Sequence, residues 1–264
     1  MLFILYYYMN YFFGISNNEL KCKLTVPKFQ NLQSDPQNQY KLYKAFIYNN
    51  LWKIEKLKCE EDNYFYYINN NYIKNNVFFF LATKEEIIKF QEKNYQKLLS
   101  VNNFTSTSPS FRANMRIYNS FGGFSSYQSE YPFSMINKNG SILTPISSLT
   151  NKSADRNKVF LINIFEKPVN EKFDLFFVDI NLKKTLYKKE IFTNTINEIK
   201  IEKNFIDYNV FIFTKKYICI PVFVSMKNNH LSCEHTHPPH EYIMSKDRML
   251  KISELKKEVN EIVS

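Results

Sequence analysis

Glycine is scarce in this chain, with four in 264 residues, and it has only four arginines, four histidines, four cysteines and a single tryptophan. These shortages exclude whole classes of chemistry. A phosphate-cradling loop needs several glycines at fixed spacing, and neither GxGxxG nor a Walker-type loop occurs. GxSxG and HExxH are also missing, which removes the nucleophile elbow and the zinc-protease helix. Cys22, Cys59, Cys219 and Cys233 lie far apart with no CxxC pair, so no zinc-ribbon or thioredoxin-type motif is present, and four such thiols fit a reducing compartment. No apolar run reaches the ~20 residues of a membrane-spanning helix. The chain therefore reads as a soluble, cytoplasmic protein without a transmembrane segment. Residues 1–13 are apolar but too short to span, and they read as a signal, a first strand, or an over-extended start ahead of Met9.

What the chain has in quantity is Lys, Asn, Ile, Phe and Tyr. An apolar share of 44%, with 17% aromatic residues, is ample for a buried core. The formal charge of +10 comes from 35 basic and 25 acidic residues. The lysines are spread along the chain among acids, and no zinc-finger spacing or RNA-recognition motif accompanies them, so the composition argues against a nucleic-acid partner. Nothing in the pattern specifies an oligomer.

Periodicity predicts an α+β, mainly β protein: an amino-terminal strand and helix region over 1–104, then an antiparallel β-sandwich or jelly-roll-like domain with a carboxy-terminal helix over 105–264. Strands are expected at 64–67 and 77–81, and a helix over 84–99 opened by the capping box of Thr83 and Glu86. Further strands are expected at 111–118, 158–165, 173–180, 185–192, 198–201, 210–214 and 217–225. Pro221 cannot donate to a ladder, so its strand is expected at a sheet edge or at a bulge. Asn228 and Asn229 suit a tight turn, because asparagine tolerates positive φ. The stripe of Ile252, Leu255, Val259 and Ile262 predicts the closing helix.

Two clusters carry candidate chemistry, and they are expected to meet in space. All four histidines fall within residues 230–241. On an extended strand, Cys233, His235 and His237 share one face, and His235, His237 and Glu241 can hold a divalent transition metal such as zinc, iron or manganese, with His240 as a ligand-binding neighbour. The spacing His235-x-His237-x-x-x-Glu241 resembles the ligand core of the first cupin motif, which implies a metal inside a jelly roll. The resemblance covers seven residues. Asn229 stands where that motif has glycine, and no histidine follows His240 to supply a second motif, so membership does not follow.

The second cluster runs over residues 112–131. Arg112 and Arg116, four apart, share a strand face and suit a carboxylate or phosphate, and Tyr127, Gln128 and Glu130 add a polar, aromatic-lined surface of the kind sugars use. These features leave three readings. One is a ligand-binding β-sandwich for a glycan or an acidic small molecule, with its His-rich site at 230–241. The second is a metal-dependent enzyme using a His/Glu site, and the third is a structural or assembly jelly-roll protein.

Overall fold

A computed structural model describes residues 10–28, 39–99, 112–136, 140–235 and 246–264. The chain divides into two compact units, residues 1–137 with 164–169, and residues 138–163 with 170–264. The boundary expected near residue 105 lies outside the described residues. The α+β, mainly-β class holds: the elements are eighteen strands, two α-helices and three one-turn 3-10 helices among the described residues. None of the described helices is long and apolar enough to cross a membrane.

The first unit contains β1 (Asn10–Tyr11), β2 (Leu20–Pro27), β3 (Lys41–Tyr48), β4 (Leu51–Lys56), β5 (Glu60–Glu61), β6 (Phe65–Ile68), β7 (Phe78–Ala82), α1 (Lys84–Glu92), β8 (Ala113–Asn119), β9 (Phe124–Ser129) and β10 (Tyr131–Pro132). They form a five-stranded sheet in the order β5-β6-β2-β8-β9, a three-stranded sheet β4-β3-β7 and the pair β1-β10. The strand pairings are antiparallel. Strands β8 and β9 thus join the amino-terminal strands rather than the later ones with which their sequence spacing groups them.

The uninterrupted apolar run of β7 is buried at every position. Phe80 sits at its centre, with ring centroids 5.5 Å from Tyr11, 5.8 Å from Tyr43 and 5.7 Å from Phe90 of α1. The capping box forms as expected. The Thr83 hydroxyl accepts from the Glu86 amide at 3.3 Å, and the Glu86 carboxylate accepts from the Thr83 amide at 2.8 Å. Replacing Thr83 with alanine orphans a helix amide and is expected to cost about 1 kcal/mol, read as a lower denaturant midpoint.

The helix is shorter than its apolar spacing suggests, ending at Glu92 instead of 99. Asn94 and Tyr95 turn left-handed at φ 48° and 53°, and the Tyr95 carbonyl is taken by the Trp52 amide at 2.9 Å. The Tyr95 amide donates back to the Phe90 carbonyl at 3.0 Å, which closes the helix end.

In a glycine-poor chain, asparagine takes over the left-handed positions. Five of the eight described non-glycine residues with positive φ are Asn49, Asn50, Asn94, Asn194 and Asn228. Asn49 and Asn50, at φ 50° and 57°, make the two-residue hairpin between β3 and β4 in the conformation that primed turns require.

The second unit contains β11 (Leu143–Pro145), β12 (Arg156–Asn163), β13 (Lys172–Asp179), β14 (Lys184–Phe192), β15 (Thr195–Ile201), β16 (Val210–Thr214), β17 (Ile220–Lys227), β18 (His230–His235) and α2 (Lys246–Ile262). Two four-stranded antiparallel sheets result, β11-β16-β13-β14 and β15-β12-β17-β18. The carboxy-terminal helix forms where the stripe predicts it. Val259 is fully buried against Phe176, Val178 and Phe213, with Leu255, Ile262 and Val263 packed beside it.

One expectation is corrected. The strand carrying Pro221 is internal, flanked by β12 and β18, and is buried at all but its last residue. Pro221 sits second in the strand, next to its first residue Ile220, and pairs with Leu161 of β12, and the described pairing with β18 runs from Val222–His235 to Lys227–His230. Asn228, at φ 51°, then closes the β17–β18 hairpin as expected.

Candidate ligand-binding face

Alternation along β2 and β8 sends one set of side chains into the core and the other to the surface. Leu20, Cys22, Leu24 and Val26 are buried, as are Ala113, Met115 and Ile117. The outward set of the five-stranded sheet is read from register. Across the strands, Tyr67, Thr25, Asn114 and Gln128 form one row. Lys23, Arg116 and Ser126 form the next, and Lys21, Tyr118 and Phe124 the third.

The middle row places two cations directly opposite one another. Like charges in register on a sheet destabilise it, yet neither Lys23 nor Arg116 has a carboxylate partner among the described residues, and nor does Lys21. Each member of the opposed pair is instead held over a ring: the Arg116 guanidinium lies 4.0 Å from the centroid of Phe124, and the Lys23 ammonium 4.9 Å from that of Tyr67. Cation–π contacts of this kind fix a charge in place without neutralising it. Phe124 stays 54% exposed, a large apolar surface at the rim of the face.

Arg112 occupies one end of the same face. It donates from a terminal nitrogen to the Gln128 side-chain oxygen at 2.8 Å, and its Nε lies 2.5 Å from a Glu130 carboxylate oxygen. That Nε is buried and has no hydrogen-bond partner among the described residues, so the Glu130 contact is one of charge, with the N–H off axis. Burial pushes the Glu130 carboxyl up to about 7, and the nearby Arg112 opposes this without cancelling it. Arg112 therefore has a carboxyl group beside it, one that is charged only above about pH 7, whereas Arg116 has none among the described residues. Tyr127 departs from the expected grouping. It pairs with buried Met115 and alternates with Ser126 and Gln128, so it lies on the opposite side of β9 from Arg112, Arg116 and Gln128.

The arginine cluster and the histidine strand fall in different units. Of the metal set, the His235 side chain, His237 and Glu241 lie outside the described residues, as does His240. Among the described residues there is no group of three or more His, Cys, Asp or Glu side chains able to hold a metal. Cys233 is buried at 5% exposure, and desolvation by burial pushes its thiol up to about 12, which keeps it protonated and unreactive at neutral pH. Of the four free cysteines only Cys59 is not buried. Maleimide labelling of the native protein is expected to modify Cys59 first, with Cys22, Cys219 and Cys233 reacting only on unfolding, as peptide mass spectrometry would show. Early labelling of Cys233 would overturn that placement.

Sequence reasoning singled out Arg112, Arg116, Gln128 and Glu130 but missed Lys21, Lys23, Thr25, Tyr67, Asn114, Tyr118 and Phe124. The local signal was present, since Lys21, Lys23 and Thr25 alternate with Cys22, Leu24 and Val26 as an outward strand face. Only pairing β2 with β8 puts them beside Arg116. Comparisons with protein-family models, with curated proteins and with solved structures find no match.

Proposed function

We propose that this is a ligand-binding protein that takes an acidic ligand on the outer face of the β5-β6-β2-β8-β9 sheet. The observation that carries the reading is the in-register pair of Lys23 and Arg116, held over rings and lacking a carboxylate partner among the described residues. A sheet that tolerates opposed like charges gives up stability, and an anion seated between them recovers it. Arg116, Arg112 and Gln128 keep the role that the sequence suggests, while the histidine stretch is not needed for it. The second unit supplies a frame that we read as a β-sandwich of two four-stranded sheets, a reading supported by Phe177 of β13 packing edge-on against Phe205, which follows β15, at 5.2 Å.

The reading separates stability from binding. Lys23→Glu places a carboxylate opposite Arg116 and is expected to raise unfolding stability by about 0.2–1 kcal/mol while weakening retention on a sulfated resin. Arg116→Glu should also elute at lower salt. Lys184→Glu, an exposed change of equal charge in the other unit, serves as the control. Co-elution of all three variants would show that net charge alone governs retention and would end the proposal.

A further inference from the structure

The ligand class follows from what surrounds the opposed cations, and this step rests on the acidic-ligand reading above. We infer that the face binds an unbranched acidic polysaccharide, one carrying a carboxylate or sulfate on its repeating unit.

Three features of the face favour it. The row beside the cations is neutral and rich in hydrogen-bonding groups. Thr25, Asn114 and Gln128 lie in register across three strands, with Ser126 beside Arg116. Carboxamides and hydroxyls both donate and accept, which matches sugar hydroxyls, themselves both donors and acceptors. Gln128 gives its oxygen to Arg112 and retains its amide N–H groups for a ligand.

The charge on the face is sparse. Three cations, Lys21, Lys23 and Arg116, lie among these neutral groups, with Arg112 beside Glu130 and, at the β5 margin, Glu60 in register with Tyr67 and Asp62 accepting from the Tyr67 hydroxyl at 2.7 Å. A ligand with one acid group per sugar suits that spacing better than a backbone with a phosphate at every link.

The rings favour a sugar chain over the main competitor. Single-stranded nucleic acid is held by bases stacking on open aromatic faces. Here each ring that flanks the cations has one face occupied, Phe124 by Arg116 and Tyr67 by Lys23, and Phe124 remains 54% exposed at the rim. They act as props that hold the cations in position, which lowers the entropy lost when an anion docks. At about 4.8 Å per strand, the row from Tyr67 on β6 to Gln128 on β9 spans about 14 Å, room for a short stretch of an extended chain lying across the strands.

Calorimetric titration of the full chain with a polygalacturonate oligomer, a neutral glucan oligomer of equal length and a single-stranded DNA oligomer tests this. The polyuronate should bind tightest. Its affinity should fall about tenfold or more in Asn114→Ala/Gln128→Ala, which removes two neutral hydrogen-bonding side chains, and further in Lys23→Ala/Arg116→Ala. Circular dichroism of both variants checks that they remain folded. DNA binding tighter than the polyuronate, with Phe124→Ala weakening it, would overturn the polysaccharide assignment and leave the acidic-ligand reading standing. Equal binding of the neutral glucan, or no binding of any of the three, would overturn both.

Discussion

Replacing Phe177 with alanine is expected to destabilise the protein by about 3–5 kcal/mol, the range for removing a fully buried phenylalanine. Phe177 has no exposed surface. It meets Phe205 edge-on at 5.2 Å and an interplanar angle of 84°, and Tyr187 at 5.3 Å and 58°. The substitution removes the transfer free energy of the ring, leaves a cavity between the neighbouring rings, and forfeits two aromatic contacts worth about 0.5–1.5 kcal/mol each beyond area. Against the ~5–15 kcal/mol that holds a typical domain folded, the loss is large. Guanidinium melts of Phe177→Ala beside Tyr208→Ala, a ring 74% exposed, would measure it. The Tyr208 variant should stay within about 0.5 kcal/mol of the parent. A Phe177 effect no larger than that would mean the ring is not a core residue.

The second large effect concerns the margin of the proposed binding face. Glu130 has its carboxyl raised from an ordinary 4.5 to about 7, chiefly by burial. Between those two values the folded protein holds a proton that the unfolded chain releases. The stability contributed by that proton is fully present below about 4.5 and is lost as pH rises through about 7. A shift of this size corresponds to roughly 3 kcal/mol at most.

Glu130→Gln keeps the shape and removes the titration. The parent-minus-variant difference in unfolding free energy should therefore fall as pH rises from 4.5 to 8, by up to roughly 3 kcal/mol. Urea melts at several pH values would show it, and a difference independent of pH would refute the buried-carboxyl account. Protonating Glu130 also unmasks the charge of Arg112. An acidic ligand should accordingly bind the parent more tightly at pH 6 than at pH 8, and the variant should lack that step.

Much of the secondary structure was open to local reading. The strand over residues 210–214 matches β16 at both ends, and the Thr83–Glu86 capping box and the stripe through Leu255, Val259 and Ile262 appear as the spacing implies. Each depends on neighbours a few residues apart, where period and capping chemistry decide the outcome. Misreadings arose where a distant partner intervened. The first helix ends at Glu92, followed by the left-handed Asn94 and Tyr95, whose carbonyl accepts from the distant Trp52, and the Pro221 strand is internal because β18, over residues 230–235, pairs along its second edge.

The candidate site divides along the same line. The sequence by itself determined which side chains of β8 point outward, because alternation is a property of one strand, whereas β2 lies in an amino-terminal stretch where no strand was expected. It also determined that Arg112 and Arg116 share a face and that no glycine-rich phosphate loop or zinc-protease motif exists. Only the tertiary structure decided that β2 pairs with β8 in the register that sets Lys23 against Arg116. It also decided that Phe124 and Tyr67 support those charges, and that Glu130 closes on Arg112 and leaves Arg116 without a carboxylate among the described residues. The physical reason is sequence separation. Lys23 and Arg116 stand 93 positions apart, and which strands pair over that distance is settled by burial of their inner faces, Cys22 and Leu24 on one and Met115 and Ile117 on the other, and not by the outward residues that form the site.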